Sequence, residues 1–384
     1  MTAPLLTNIM RSPASTTTGA ASLQQHFANV VLPIWRGPGF NEALGLPYEA
    51  VAGDGRTPTP AVRYRAMACA RQLFVFSQQA GAAAHAQRLF EMLLHYFQDT
   101  QRGGWFYSVD AQGTPLDTTK DLYTHAFVVF ACAEYAARSG NRDALDTVLR
   151  TSELIEARFA VRNDAPADGL LHAALSADFA TVTAGLQQNP LMHLTEAWLA
   201  ARSATRDAAF DTALERLGNA IARVFVHQPT GCVAELPLVQ QLQATPDDNR
   251  LEPGHQFEWF WLVQQAGALF DASGLREALA RAFLFAQQQG VDPQTGGVAA
   301  ALNMNGSLQD ATQRIWAQSE YLRALAVHGD AQIRALLPQQ IARFNERFLR
   351  PQGWFECKTP SGEVVRDDMP STTPYHLATA YAVL

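Results

Sequence analysis

The chain has 384 residues, of which 48% are hydrophobic and only 17% charged, with a net charge of −7. That balance excludes a disordered chain, and an acidic sequence without a long Lys/Arg run argues against a nucleic-acid partner. The length supports a core that needs neither disulfides nor a structural metal.

No apolar run reaches membrane-spanning length, so no membrane partner is expected. The four cysteines, Cys69, Cys132, Cys232 and Cys357, show neither CxxC nor metal-knuckle spacing. They read as reduced thiols of a cytoplasmic protein. Residues 1–18 lack the basic and apolar regions of a signal peptide and read as a flexible lead-in. Residues 19–384 read as a single domain.

Helical periodicity dominates from there on. The first helices are expected at roughly 20–36, 59–81 and 82–99. Phe74, Phe76, Leu89, Phe90, Leu93, Leu94 and Phe97 recur there among Gln, Ala and His. Arg71 lies among them, beside Cys69 and an aromatic stretch. An Arg in apolar surroundings needs a partner. It is either half of a structural ion pair or a clamp for an anionic oxygen. The next pair is expected at roughly 119–140 and 141–161. Its first helix opens with Lys120-Asp121-Leu122-Tyr123-Thr124-His125, behind the N-cap candidates Asp117 and Thr118. Tyr123 and His125 are two apart and cannot share a face, so one of them is packing.

A third pair follows at roughly 188–204 and 206–228. Asn189 is placed to cap it, with Pro190 at the first helical position. His193 and Glu196 then share a helix face. The fourth pair, at roughly 253–272 and 273–289, opens with Glu252-Pro253-Gly254-His255-Gln256-Phe257-Glu258-Trp259-Phe260-Trp261. Here an imidazole and a carboxylate three apart share a face near the positive end of a helix, among aromatic rings. That is the setting of a tuned proton-transfer group, with Glu258 expected to orient His255.

The last helices are expected at roughly 308–328, 330–350 and 371–384. Trp316 is either a core ring or a platform for a sugar face. Thr372-Thr373-Pro374-Tyr375-His376 opens the final helix, with Thr373 as N-cap and Pro374 at the first helical position. His376 is thus a second histidine at a helix start.

The two His-x-x-Glu pairs raise a metal-site alternative. The bundle di-metal motif runs the other way, Glu-x-x-His with further Glu ligands, so no metal and no cofactor are expected. The long connections carry Gly103-Gly104-Trp105, Gly231-Cys232-Val233, Gly296-Gly297-Val298 and Gly353-Trp354, each able to form a small hairpin. This is a weak repeat of helix pairs. Six pairs closing on themselves make an all-α (α/α)6 barrel of twelve helices, with short β-hairpins in the long connections. An open solenoid is the competing architecture. Polar residues on apolar helices favour closure around a pocket.

These pieces together resemble the N-acylglucosamine 2-epimerase superfamily, which includes mannose isomerases and cellobiose 2-epimerases. The resemblance rests on Gly254-His255-x-x-Glu258-Trp259, Asn189-x-x-x-His193-x-x-Glu196, Arg71-Gln72 with its aromatic tail, and Pro374-Tyr375-His376. Gly103-Gly104-Trp105 followed by Lys120-x-x-Tyr123-x-His125 fits as well. It implies an (α/α)6 barrel and proton transfer at C2 of an aldose. By that resemblance His255, supported by Glu258, is one acid–base group and His376 the other, on the opposite side of the sugar. Arg71 holds the enediolate oxygens. Tyr123, Asn189, His193 and Glu196 bind the sugar, and Trp316 packs on it.

The resulting expectation is an aldose–ketose isomerase, D-mannose to D-fructose, working through a cis-enediolate on a monosaccharide, as a monomer or homodimer. The alternative is a 2-epimerase acting on N-acylglucosamine or on mannose and glucose. A phosphorylated sugar is disfavoured by the lack of a Gly-rich phosphate loop. A glycoside hydrolase or lyase would want two carboxylates across the pocket. A non-catalytic helical-repeat protein would present an exposed groove instead.

Overall fold

A computed structural model describes residues 13–162, 165–239, 242 and 249–384. In chain order, α1 (Pro13–His26) passes through a π-helical turn, Phe27–Val31, into α2 (Leu32–Arg36). Then come α3 (Ala66–Ser77), α4 (Ala83–Phe97), α5 (Leu122–Ser139), α6 (Arg142–Arg158), α7 (Gln188–Thr205) and α8 (Ala209–Val224). The rest are α9 (Pro253–Gln265), α10 (Leu275–Gly290), α11 (Ile315–Val327), the short α12 (Ala331–Arg334), α13 (Leu337–Phe348) and α14 (Thr373–Tyr381).

Helices α3, α5, α7, α9, α11 and α14 each pack on the next, and α14 packs back on α3, closing an inner ring. Outside it, α4, α6, α8 and α10 each lie against the inner helix that precedes them, α13 lies against α11, and α1 against α13 and α14. This is the (α/α)6 barrel, closed and not an open solenoid.

The two rings differ in sequence for a physical reason. An inner helix meets protein on every side, and α3 is buried without a break from Ala66 to Phe76. An outer helix buries one stripe. In α8 that stripe is Phe210, Ala213, Leu214, Leu217, Ala220, Ile221 and Val224. Among the described residues no helix is long and apolar enough to cross a membrane. All four cysteines are buried with free thiols.

Several expected boundaries move. The helix expected from 59 begins at Ala66 because Pro58 and Pro60 hold the preceding chain extended, and Tyr64–Arg65 pairs with Ser108–Val109. The helix expected from 308 begins at Ile315. Its first residues form strands Leu308–Asp310 and Gln313–Arg314 after the turn at Gly306. The helix expected over 330–350 divides into α12 and α13, with Pro338 opening the second. The helix expected over 253–272 ends at Gln265, before Gly267 with its φ of 62°. The first helix starts at Pro13, inside the stretch expected as a lead-in, and residues 1–12 lie outside the described residues.

The outer helices end in tight bridged turns that return the chain toward the barrel. Isolated bridges join Gln98 to Trp105, Ala160 to Leu171, Val226 to Val233 and Val291 to Val298. The fourth residue of three inner helices clamps the turn beside it. Gln256 accepts from Val233 N at 2.8 Å and donates to Val233 O at 2.9 Å. Gln318 does the same to Val298, at 2.7 and 3.0 Å. In α5 the position is His125, whose Nε2 accepts from Trp105 N at 3.1 Å while Nδ1 donates to Asp121 O at 2.7 Å. Burial lowers the His125 pKa to about 3. His125 is therefore the packing residue of the Tyr123/His125 pair.

Gln318→Leu removes both bonds to Val298 and strands its buried N–H and C=O. The expected loss is about 2–4 kcal/mol, from two orphaned groups. It should read out as a lower urea midpoint at unchanged slope. An unmoved midpoint would show that the clamp contributes nothing.

Candidate active site

The N-terminal ends of the six inner helices converge on one cavity of about 440 Å³. Arg71 reaches it from α3, Tyr123 from α5, Asn189 and His193 from α7, His255 and Glu258 from α9, Trp316 from α11, and Thr373 and His376 from α14. Each sits in the first two turns of its helix. Helix N-termini carry partial positive charge. Six of them aimed at one space favour negative charge there.

Two of the three lining histidines are each backed by a carboxylate from another element. His255 Nδ1 lies 2.7 Å from Glu235 Oε1. His376 Nδ1 lies 2.8 Å from Glu320 Oε1. In both, the carboxylate engages Nδ1 and leaves Nε2 as the nitrogen for other chemistry. The Trp316 ring stands 5.1 Å from His255 and 5.5 Å from His376, tilted 35° and 38° to them. Gly254 makes room for it, since a Cβ there would meet Trp316 Cη2 at 2.7 Å.

The expected pairing of His255 with Glu258 is corrected. Helical side chains lean toward the helix N-terminus, so His255 leans to the mouth and meets Glu235, while Glu258 occupies the turn below. Both Glu258 oxygens lack a hydrogen-bond partner, and Oε1 is 3.8 Å from His193 Nδ1. Burial pushes the Glu258 pKa well up, and Glu320 and Glu196 add to it, which favours the protonated carboxyl. His193 is held to about 3 by burial, and is neutral.

Glu196 does not line the cavity. Its oxygens are taken by Arg323 Nη2 at 3.3 Å and by the Tyr375 hydroxyl, beneath the floor. Despite burial its pKa is lowered to about 2, by His193, Arg323 and Tyr375. Arg323 also holds Glu320, at 3.2 Å. Arg71 is 4% exposed, donates to the Tyr123 hydroxyl at 2.7 Å, and lies 4.1 Å from the Phe127 ring centroid.

The N-cap expectations are corrected too. Asp121 caps α5 by accepting from Thr124 N. Gln187 and Thr372 take the cap positions of α7 and α14, without a side-chain cap bond. Asn189 is freed from capping, and its buried Oδ1 lacks a protein partner. Thr373 donates instead to Glu356 Oε2 at 2.9 Å.

The two histidines differ in charge tendency. Burial works against a proton on His255, but Glu235 and Glu252 outweigh it and raise the pKa to about 9. Burial and Arg71 lower His376 well below the usual range. The site therefore holds one acid-form and one base-form imidazole. Orphaned oxygens on Asn189 and Glu258 and the orphaned His193 Nδ1 converge beside them. Convergent unsatisfied polar groups suit a polyhydroxy ligand.

Among the described residues, three clusters hold metal-ligand types within 4.8 Å: His193–Glu196–Glu258, Glu235–Glu252–His255 and Glu258–Glu320–His376. Each already contains an arginine-bound carboxylate, through Arg323 in the first and third and Arg250 in the second. In the last two the histidine is also engaged by a carboxylate. A cation-paired relay accounts for these contacts, and no step is assigned to a metal.

Sequence reasoning missed Glu235, Glu320 and Arg323. Glu320 and Arg323 carried a signal, a charged i,i+3 pair within an Ala/Leu-rich helix. Glu235 lies in an irregular connection and carried none.

The family model for N-acylglucosamine 2-epimerase matches residues 48–380. A mannose-6-phosphate isomerase of Rhizobium meliloti is 27% identical, over 94% of this chain and 95% of its own. A D-mannose isomerase of Thermobifida fusca is 31% identical over 51% of this chain and 53% of its own. The solved cellobiose 2-epimerase of Spirochaeta thermophila superposes with a TM-score of 0.84 at 21% identity, covering 98% of both chains. At that identity it speaks for the barrel. The chain belongs to the N-acylglucosamine 2-epimerase family and is an enzyme of the sugar isomerase and epimerase class.

Proposed function

We propose that the protein interconverts D-mannose and D-fructose through a cis-enediolate. One observation carries this reading: two carboxylate-backed histidines of opposite charge tendency face one sugar-sized cavity. A proton α to an aldehyde leaves only if the developing oxyanion is stabilised. Arg71 and the six helix N-termini supply that stabilisation from the chain itself.

In the opened aldose, neutral His376 takes the C2 proton at Nε2. The C2–H electron pair becomes the C1–C2 double bond, and the aldehyde oxygen carries the negative charge against Arg71. Return of the proton from His376 to C1 on the same face, while the His255 imidazolium gives its proton to O1 and takes up the O2 proton as C2=O2 forms, gives the ketose. Delivery of a proton to C2 from the other face, by His255, gives the epimer. Glu258 and neutral His193, with Asn189 and Tyr123, hold the hydroxyls, and Trp316 packs on the sugar.

The mannose assignment is supported by the D-mannose isomerase of Thermobifida fusca, and its sugar skeleton by the mannose-6-phosphate isomerase of Rhizobium meliloti. A second reading, 2-epimerisation, is favoured by the opposed acid and base histidines.

The direct test is a turnover screen with mannose, glucose, N-acetylmannosamine, cellobiose and mannose 6-phosphate. Mannose should give fructose, and silence on all five would contradict the proposal. His255→Asn and His376→Asn should each lower kcat by about 10²–10⁴-fold with the fold intact by circular dichroism. Near-normal turnover in either would remove that histidine from the mechanism. The pH profile follows from the two shifts. As pH rises through about 9, His255 loses its proton and activity falls. On the acid side activity persists below the ordinary histidine range, because His376 must first be protonated. A basic limb near about 6.5, the unperturbed histidine value, would contradict the assignment.

A further inference from the structure

The two histidine–carboxylate pairs are built unequally. Glu320 serves two partners, His376 and the Arg323 guanidinium at 3.2 Å. That cation takes up part of the carboxylate's charge before His376 can use it. Glu235 has no such cation on its side-chain oxygens among the described residues. Its Oε1 receives the Gln188 side-chain N–H at 3.0 Å and faces His255 at 2.7 Å. Gln188 is itself fixed, since its Oε1 accepts from Trp259 Nε1 at 2.7 Å. That bond sets the amide so that its nitrogen donates to Glu235. The main chains are joined too, by Gln188 N to Glu235 O at 3.1 Å and Glu235 N to Arg250 O at 3.1 Å. Glu235 is 7% exposed, so its charge is little screened by water.

We infer that Glu235, locked by Gln188 and Trp259, is the positioning residue that keeps His255 in its acid form, so that proton abstraction at C2 falls to His376. This rests on the proposed two-histidine shuttle. Among the groups facing His255 the carboxylates favour its proton, and the uncharged Gln188 amide nitrogen lies 3.0 Å from its Nδ1. The connection before α9 brings Glu235 and Glu252, with Arg250 bonded to Glu252 at 2.7 Å. Its own helix adds Glu258, whose pKa burial pushes well up. Helix α14 contributes His376, which is neutral, and α11 the uncharged Trp316. The raised His255 titration has its largest charge contribution from Glu235, acting against burial.

The consequence is a specificity rule. An imidazolium cannot take a proton. The enzyme should process the aldose whose C2 hydrogen faces His376 and be slow on the C2 epimer, whose hydrogen faces His255.

The test uses the full-length chain, wild type and Glu235→Gln, with isotopically labelled histidine followed by NMR. The His255 signal is identified by its loss in His255→Asn. Wild-type His255 should titrate near about 9. In Glu235→Gln the titration should fall toward about 6.5, with that of His376 unmoved. The basic limb of kcat/KM should follow it, costing about thirtyfold at pH 8 from the lost imidazolium fraction. Turnover of the opposite C2 epimer, relative to the preferred one, should rise. If Glu235→Gln does not fold, Glu235→Asp decides, because its shorter carboxylate should lower the titration part-way. An unmoved His255 titration in the folded variant overturns the inference. Absence of sugar turnover in the wild type overturns the proposed function instead, and the NMR titration still reads the inference by itself.

Discussion

Arg323 is the contact on which the site depends. It lies 2% exposed under the cavity, bonded to Glu196 of α7 and Glu320 of α11, with its guanidinium 3.4 Å from the Trp261 ring centroid. A buried charge costs several kcal/mol in desolvation unless partners offset it. Here the partners lie on different inner helices, so the charge must be satisfied across the barrel. Tyr375 of α14 closes the layer by donating to Glu196, and the next residue, His376, takes the other end of Glu320. One cation thereby fixes the register of three helices and the orientation of one active histidine.

The barrel turns that layer into a site. Alternating inner and outer helices bring all the inner N-termini to one end. The bridged turns, clamped by His125, Gln256 and Gln318, hold those ends in place. Above the charge layer lie polar atoms left open to the cavity. Ion pairing is used for architecture beneath the floor, while at the floor it is withheld from Glu258 and His193.

Much of this was legible in the sequence. The 3.6-residue periodicity located the helices, and the continuous apolar character of α3 against the striped α8 separates inner from outer. His255 and His376 stood out at helix starts, Arg71 as a charge among apolar residues and Trp316 as a possible platform for a sugar face, and they do share one cavity. What failed was pairing. His-x-x-Glu spacing suggested a local partner for His255, and the true one, Glu235, arrives from a connection without periodicity. Glu196 shares a face with His193 yet turns below the floor, because Arg323 and Tyr375 offer it two bonds there. Asn189 looked like a cap, but the helix begins one residue earlier. Each error has one cause: spacing along a helix gives direction, whereas the choice among partners is made by neighbouring elements.

The central claim is that two histidines move a proton at C2 of a sugar. Its most direct test is incubation with mannose in D2O, followed by NMR. Transfer through His376 that exchanges with solvent predicts fructose carrying deuterium at C1, and any glucose formed should be deuterated at C2. Product in which neither carbon acquires deuterium, even at low conversion and in slow single-turnover conditions, would contradict an exchanging histidine shuttle and point to direct hydrogen transfer between the carbons.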